Sequence, residues 1–133
     1  MRTTAPHPYR TAIEERDPDR LTAALRPDVV FDTPAFQEPI RGRENVLALF
    51  GVLSTVFEEP VITDELRGEC SRAITFRLRV DGHQIDGVDY LRLDQMGLVR
   101  RITVTMRPLT SLQVLADRMA DTVRELSGQR KPQ

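Results

Sequence analysis

Asp81-Gly82 sits between two alternating runs, and no other feature narrows the fold as much. An Asp-Gly pair flanked by alternating hydrophobics is a strong hairpin signal. Over residues 72–80, Ile74, Phe76, Leu78 and Val80 alternate with Thr75, Arg77 and Arg79. Over residues 83–93, Ile85, Asp89, Leu91 and Leu93 share one face, because successive strand side chains point to opposite sides. That face reads as the buried one. Asp89 is therefore a carboxylate on an apolar surface, and an isolated buried charge is costly. It must be paired, hydrated in a cavity, or protonated.

The runs on either side extend the same pattern into a four-strand meander. Residues 61–69 precede the hairpin. After the turn Asp94-Gln95-Met96-Gly97, residues 98–107 place Leu98, Ile102, Val104 and Met106 on the inner face. Val99, Arg101, Thr103, Thr105 and Arg107 fall on the outer face, and Pro108 ends the run.

Upstream, Pro8 suits the first position of a helix whose stripe is Tyr9, Ala12, Ile13 and Arg16. Asp17-Pro18 opens a second helix, with Asp17 as its cap, running to about Leu25. Residues 28–33 read as a strand with Val29, Phe31 and Thr33 on one face. Pro34 to Arg43 reads as a loop. Glu44 to Phe57 is an amphipathic helix with Val46, Leu49, Phe50, Leu53, Val56 and Phe57 at helical spacing. A last helix spans about Ser111 to Leu126, with Thr110 and Gln113 at capping-box spacing and an apolar stripe of Leu112, Leu115, Met119, Val123 and Leu126. Helices segregated from an antiparallel sheet define an α+β domain. A curved antiparallel sheet around the long helix would leave a cone closed at one end. The domain is expected to span residues 8–126, with mobile ends at 1–7 and 127–133.

The 133 residues suit one core, and the net charge of −1, from 19 Lys+Arg against 20 Asp+Glu, favours neither nucleic acid nor an anionic membrane as partner. No apolar run is long enough to cross a bilayer, and the first residues lack the apolar core of a signal peptide, so a cytoplasmic protein is expected. Cys70 is the single cysteine and cannot form an intrachain disulfide. With one Cys and two His, neither a metal nor another cofactor is expected. His7 belongs to a frayed end and His83 to a solvated turn, and neither has an acid partner for nucleophilic catalysis.

Three stretches resemble the nuclear transport factor 2-like superfamily, in its ketosteroid isomerase and SnoaL-like polyketide cyclase branches. They are Asp17-Pro18-Asp19-Arg20-Leu21 leading through Arg26-Pro27-Asp28-Val29-Val30-Phe31, the loop Pro34-Ala35-Phe36-Gln37-Glu38-Pro39-Ile40-Arg41-Gly42, and Val88-Asp89-Tyr90-Leu91-Arg92-Leu93-Asp94 followed by Gly97-Leu98-Val99. The resemblance implies a cone-shaped pocket. In ketosteroid isomerases that pocket carries a carboxylate base on the first strand, a tyrosine on the first helix and a protonated aspartic acid on the third meander strand. By alignment Asp89 takes the aspartic-acid position, Tyr9 the tyrosine position and Thr33 the place of the base. Threonine has no useful acidity, so the base is unassigned, with Asp32, Glu38 or a water held by Thr33 as candidates.

Asp89, Tyr9 and Thr33 are thus the candidate catalytic residues. Asp89 acts either as a neutral hydrogen-bond donor or as the partner of Arg100, a diagonal neighbour if Asp89 faces Ile102. Phe31, Phe36, Phe50, Phe57, Phe76 and Met106 are the candidate apolar walls, since the pocket of such a fold is its incompletely filled core. The expected function is a cofactor-free enzyme that isomerises, cyclises or hydrolyses a small apolar oxygenated molecule, steroid-like or polyketide-like. The alternative is a module of the same fold that only binds a ligand or a protein. The resemblance also implies a homodimer through the outer sheet face, where each patch meets its own copy.

Overall fold

The structure is a computed structural model that describes residues 5–130. The side chains of Val123 and of residues 125–130 lie outside that description, as do residues 1–4 and 131–133 of the two ends. The order of elements is α1 (Pro8–Glu15), α2 (Pro18–Ala24), β1 (Leu25–Asp32), β2 (Ile40–Arg41), α3 (Arg43–Val56), β3 (Glu58–Arg67), β4 (Ser71–Val80), β5 (His83–Leu93), β6 (Val99–Arg107) and α4 (Leu109–Arg130).

Asp17 caps α2 as its spacing predicts, accepting hydrogen bonds from the backbone N–H groups of Asp19 and Arg20 at 3.1 and 3.2 Å. Leu25 begins β1 rather than ending α2. The loop before α3 contains the two-residue strand β2, held to Val30 and Phe31. α4 starts at Leu109, so Thr110 lies inside its first turn and is not the cap. The helix also runs through residues 127–130, past the expected boundary at Leu126.

The six strands form one curved sheet in the order β2-β1-β6-β5-β4-β3. It is mixed, not purely antiparallel: β1 lies parallel to β6, with Phe31 opposite Ile102. Residues 81 and 82 turn β4 into β5 with Ile74 opposite Asp89. A bulge interrupts β5–β6: Leu93 pairs with Val99, but Arg92 pairs with Arg101. The extra residue is taken up at Arg100, which leaves Arg100 exposed and Val99 fully buried. Val99 therefore belongs to the inner face, against the simple alternation. The shift also sets Asp89 opposite Val104 and gives Ile102 to Leu91.

The concave face of the sheet and helices α1 to α3 enclose the main core, including Tyr9, Ala12, Leu21, Val29, Phe31, Val46, Ile74 and Leu91. A second cluster joins Val56, Leu78, Val80 and Ile85 to Leu115 and Met119 of α4. The apolar stripe of α3 is not wholly buried. Val46 and Val56 are, but Leu47, Leu49, Phe50 and Leu53 between them remain half-buried although they point inward. They border empty space. Gly87 helps keep that space open. It lies opposite Phe76 on β4 and Met106 on β6. A Cβ at Gly87 would collide with the Phe76 ring edge and stand 2.7 Å from the Thr105 carbonyl oxygen. The phenyl ring can lie against the sheet only because glycine is there.

Candidate active site

The space inside the cone is a cavity of about 610 Å³. Its size falls within the range of small-molecule sites. All nine residues singled out from the sequence line it: Asp89, Tyr9 and Thr33, together with Phe31, Phe36, Phe50, Phe57, Phe76 and Met106. Ile74, Leu78, Val104, Leu115 and Met119 complete its apolar wall. The α4 residues among them could be read only as helix stripe, because which helix face meets the sheet is a tertiary matter.

Asp89 projects from β5 between Ile74 on β4 and Val104 on β6, both buried hydrophobic residues. Its accessible area opens onto the cavity. Arg100, the expected diagonal partner, is carried away by the bulge and faces solvent. Among the described residues the one group placed on the carboxyl is Tyr9, whose Oη donates to Asp89 Oδ2 at 3.2 Å. Burial pushes the Asp89 carboxyl up to about 7, and the Tyr9 hydrogen bond pulls slightly the other way. Burial, the nearby Asp89 charge and the shared hydrogen bond all raise Tyr9 well above its ordinary value, so it stays a protonated phenol.

Tyr9 reaches this position from the first turn of α1. It is 2% exposed, packed edge-on against Phe50 with ring centroids 6.2 Å apart, and Phe50 meets Phe31 at 5.3 Å in the same manner. His7 is the N-cap of α1 and is itself buried; it does not belong to a frayed end. His83, in contrast, is exposed beside its turn.

The candidates for the base fare differently. Thr33 lines the cavity, where its Oγ1 accepts from the Ala35 N–H at 3.4 Å. Asp32 points to the other side of the sheet and is ion-paired with Arg101. Glu38 is exposed in the loop before β2 and does not line the cavity. Glu14, Arg16 and Asp17 also border the space, but at its rim, where α1 passes into α2. Asp89 and Tyr9 are thus the ionisable groups of the inner wall among the described residues. No cluster of three or more His, Cys, Asp or Glu side chains converges among those residues, and none of their helices is long and apolar enough to cross a membrane.

A family model, the SnoaL-like domain, matches residues 8–110. The chain belongs to the SnoaL-like domain family. Its fold is that of the nuclear transport factor 2-like superfamily. Among solved structures it is similar to a steroid delta-isomerase from Pseudomonas aeruginosa, with 28% identity over 90% of this chain and 89% of that one and a TM-score of 0.82. It is also similar to an uncharacterised protein with a cystatin-like fold from Silicibacter pomeroyi, with 28% identity over 87% and 82% of the two chains and a TM-score of 0.80. A SnoaL-like polyketide cyclase from Shewanella denitrificans shares the fold at 18% identity, over 85% and 92%, with a TM-score of 0.63. No curated protein matches the chain.

Proposed function

We propose that this SnoaL-like domain is an enzyme that moves a proton on a small, mostly apolar, oxygenated substrate, an isomerase or cyclase acting on a steroid-like or polyketide-like compound. The observation that carries the reading is Asp89: a carboxyl on an apolar cavity wall, with a phenol as its hydrogen-bond partner and a midpoint near neutrality. A group poised near the working pH is well suited to both take and return a proton. The structural similarity to a steroid delta-isomerase agrees with this chemistry.

In the proposed reaction, the Asp89 carboxylate takes a proton from the carbon beside a substrate carbonyl. The C–H electron pair moves into an enolate. When Oδ2 becomes protonated, Tyr9 Oη no longer has its carboxylate acceptor and donates to the enolate oxygen instead. Asp89 then returns the proton at another carbon, and no net charge or electron is gained or lost. Thr33 orients the substrate from the loop just past the end of β1, and the phenylalanines with Met106 hold its apolar body. This makes Asp89 more than a neutral donor and removes the need for a separate base. The same reading includes a homodimer through the outer face of β5 and β6, where Tyr90 stays 39% exposed; size-exclusion chromatography of Tyr90→Glu checks it.

The test is the pH dependence of kcat/KM with an unconjugated steroid enone, followed by ultraviolet absorbance of the conjugated product. A proton-accepting Asp89 gives a rate that rises with pH through about 7. A purely donating Asp89 gives a rate that falls across the same range. A ligand that binds, shifts the melting temperature and is never converted, across a panel of steroid, terpene and polyketide-like compounds, would establish the domain as a binding module. The inner wall's lack of a second carboxyl among the described residues is the feature that favours that second reading.

A further inference from the structure

His7 lies outside the cavity lining, yet it is tied to the site by a continuous set of hydrogen bonds. Its Nε2 is 2.8 Å from the carbonyl oxygen of Gly97, in the turn between β5 and β6. Its Nδ1 accepts the backbone N–H of Tyr9 at 3.0 Å. Tyr9 Oη in turn donates to Asp89. A carbonyl can only accept and an amide N–H can only donate, so the two ring contacts fix one tautomer: Nε2 carries the hydrogen and Nδ1 carries the lone pair. The imidazole must be neutral for both contacts to exist.

The surroundings agree with a neutral ring. His7 is 6% exposed. The backbone N–H of His7 donates to Glu65 Oε2 at 3.0 Å, and Glu65 is also contacted by Arg10 at 3.4 Å and Arg72 at 3.7 Å. Burial lowers the imidazole below its ordinary value, and the Arg72 charge adds to that; the Gly97 carbonyl and the Glu65 charge act the other way. Arg20, the other charged residue bordering the shallow groove beside the ring, is already engaged with Glu15 and Asp17. Glu65 therefore holds the chain entering α1 at its backbone, while its charge is shared between two arginines.

We propose that His7 is a positioning residue for the site: its neutral imidazole pins the first turn of α1 to the β5–β6 turn and so holds the Tyr9 hydroxyl on Asp89. The inference rests on the reading of Asp89 and Tyr9 as the working pair, but its test does not depend on turnover. A proton on Nδ1 abolishes the acceptor for Tyr9 N–H. Acidification well below 6.5 therefore loosens Tyr9 even though Asp89 is then fully protonated. Pro8 supplies no N–H to the first turn of α1, so the Tyr9 N–H held by His7 is the first donor of the helix.

The experiment follows the Asp89 carboxyl by its ¹³C chemical shift in selectively labelled protein across pH. The Tyr9 hydrogen bond lowers the Asp89 midpoint. In Tyr9→Phe that midpoint moves upward from about 7. His7→Ala is expected to reproduce the upward shift at least in part. His7→Asn keeps a short side-chain acceptor for the Tyr9 N–H but loses the reach to the Gly97 carbonyl, so it is expected to leave part of the upward shift; a midpoint fully restored by Asn overturns the pin to the β5–β6 turn. A His7→Ala variant that lowers only the melting temperature, with Asp89 titrating as before, overturns the proposal while leaving the Tyr9–Asp89 pair intact. If Tyr9→Phe also leaves Asp89 unmoved, the pair itself fails and the positioning role with it. Should His7→Ala not fold, the ¹⁵N shifts of the His7 ring in the unaltered protein decide the matter. The Nε2–H neutral tautomer at pH 7 supports the proposal, and an imidazolium or an Nδ1–H tautomer overturns it.

Discussion

Asp86 and Asp89 lie three residues apart on β5 and look out from opposite faces of the sheet. Asp86 faces solvent between Arg77 at 3.2 Å and Arg107 at 3.8 Å. Asp89 faces the cavity between Ile74 and Val104, with a phenol as its partner. Nothing in the residue type separates the two. The difference is the dielectric of the side each one meets and the charge across from it. Asp86 stands between solvent and two guanidinium groups. For Asp89, ionisation must be borne by one hydrogen bond inside an apolar shell. The two carboxyls thus owe their different surroundings to a change of face on a single strand.

Removing each acid in turn tests this contrast hardest. Asp89→Asn and Asp89→Ala should both lower kcat/KM by ~100-fold or more, as loss of a group that acts in the transition state commonly does. Asp86→Asn should leave the rate unchanged. Near-normal activity in Asp89→Asn would return the residue to a purely donating role.

Stability should move the opposite way. The folded protein holds a proton on Asp89 up to about pH 7, whereas an unfolded chain releases it near the ordinary value of 3.8. Between those limits the native state binds more protons, so this residue's contribution to stability falls as pH rises. The loss above pH 7 is on the order of 3 kcal/mol, after allowing for water in the cavity. Asp89→Asn should therefore stabilise the protein by about that much at pH 8 and by almost nothing at pH 3.5, measured by denaturant unfolding at the two pH values. Asp86→Asn breaks surface pairs of a kind worth roughly 0–1 kcal/mol and should shift stability only within that range.

Smaller effects remain. Tyr9→Phe should raise the pH at which the rate turns on, because the hydrogen bond that eases Asp89 ionisation is gone; the pH–rate profile shows it. Arg101→Gln removes the partner of Asp32 on the outer face. It should cost less than about 1 kcal/mol and leave turnover untouched, which a parallel melt and assay would show.

Much of the inner wall was legible because strand alternation is a rigid rule. Ile74, Phe76, Leu78 and Asp89 face inward as their spacing predicts. The Tyr9–Asp89 pairing followed from resemblance and not from spacing, since 80 residues separate the two. Two kinds of information were hidden. The first is long-range pairing: β1 docks parallel to β6, and no local pattern in Val29-Val30-Phe31 distinguishes that from an antiparallel neighbour. The second is the bulge at Arg100, which breaks the period of two in the middle of an apparently regular run. It turned Val99 inward and separated Arg100, the cation that the simple alternation places beside Asp89, from the carboxyl. His7 was hidden for a related reason. As a local signal it is a histidine between two prolines, and its contacts with Gly97 and Glu65 come from residues far along the chain.

Gly87 has a bearing on anyone who would re-engineer this interior. Its missing methyl group is what permits the Phe76 ring to recline along the strand. Trimming Phe76 should simply enlarge the chamber for bulkier guests. Adding even one carbon at position 87 would stand the ring upright and crowd the neighbouring strand, so shrinking the chamber from below would also strain the scaffold that carries Asp89.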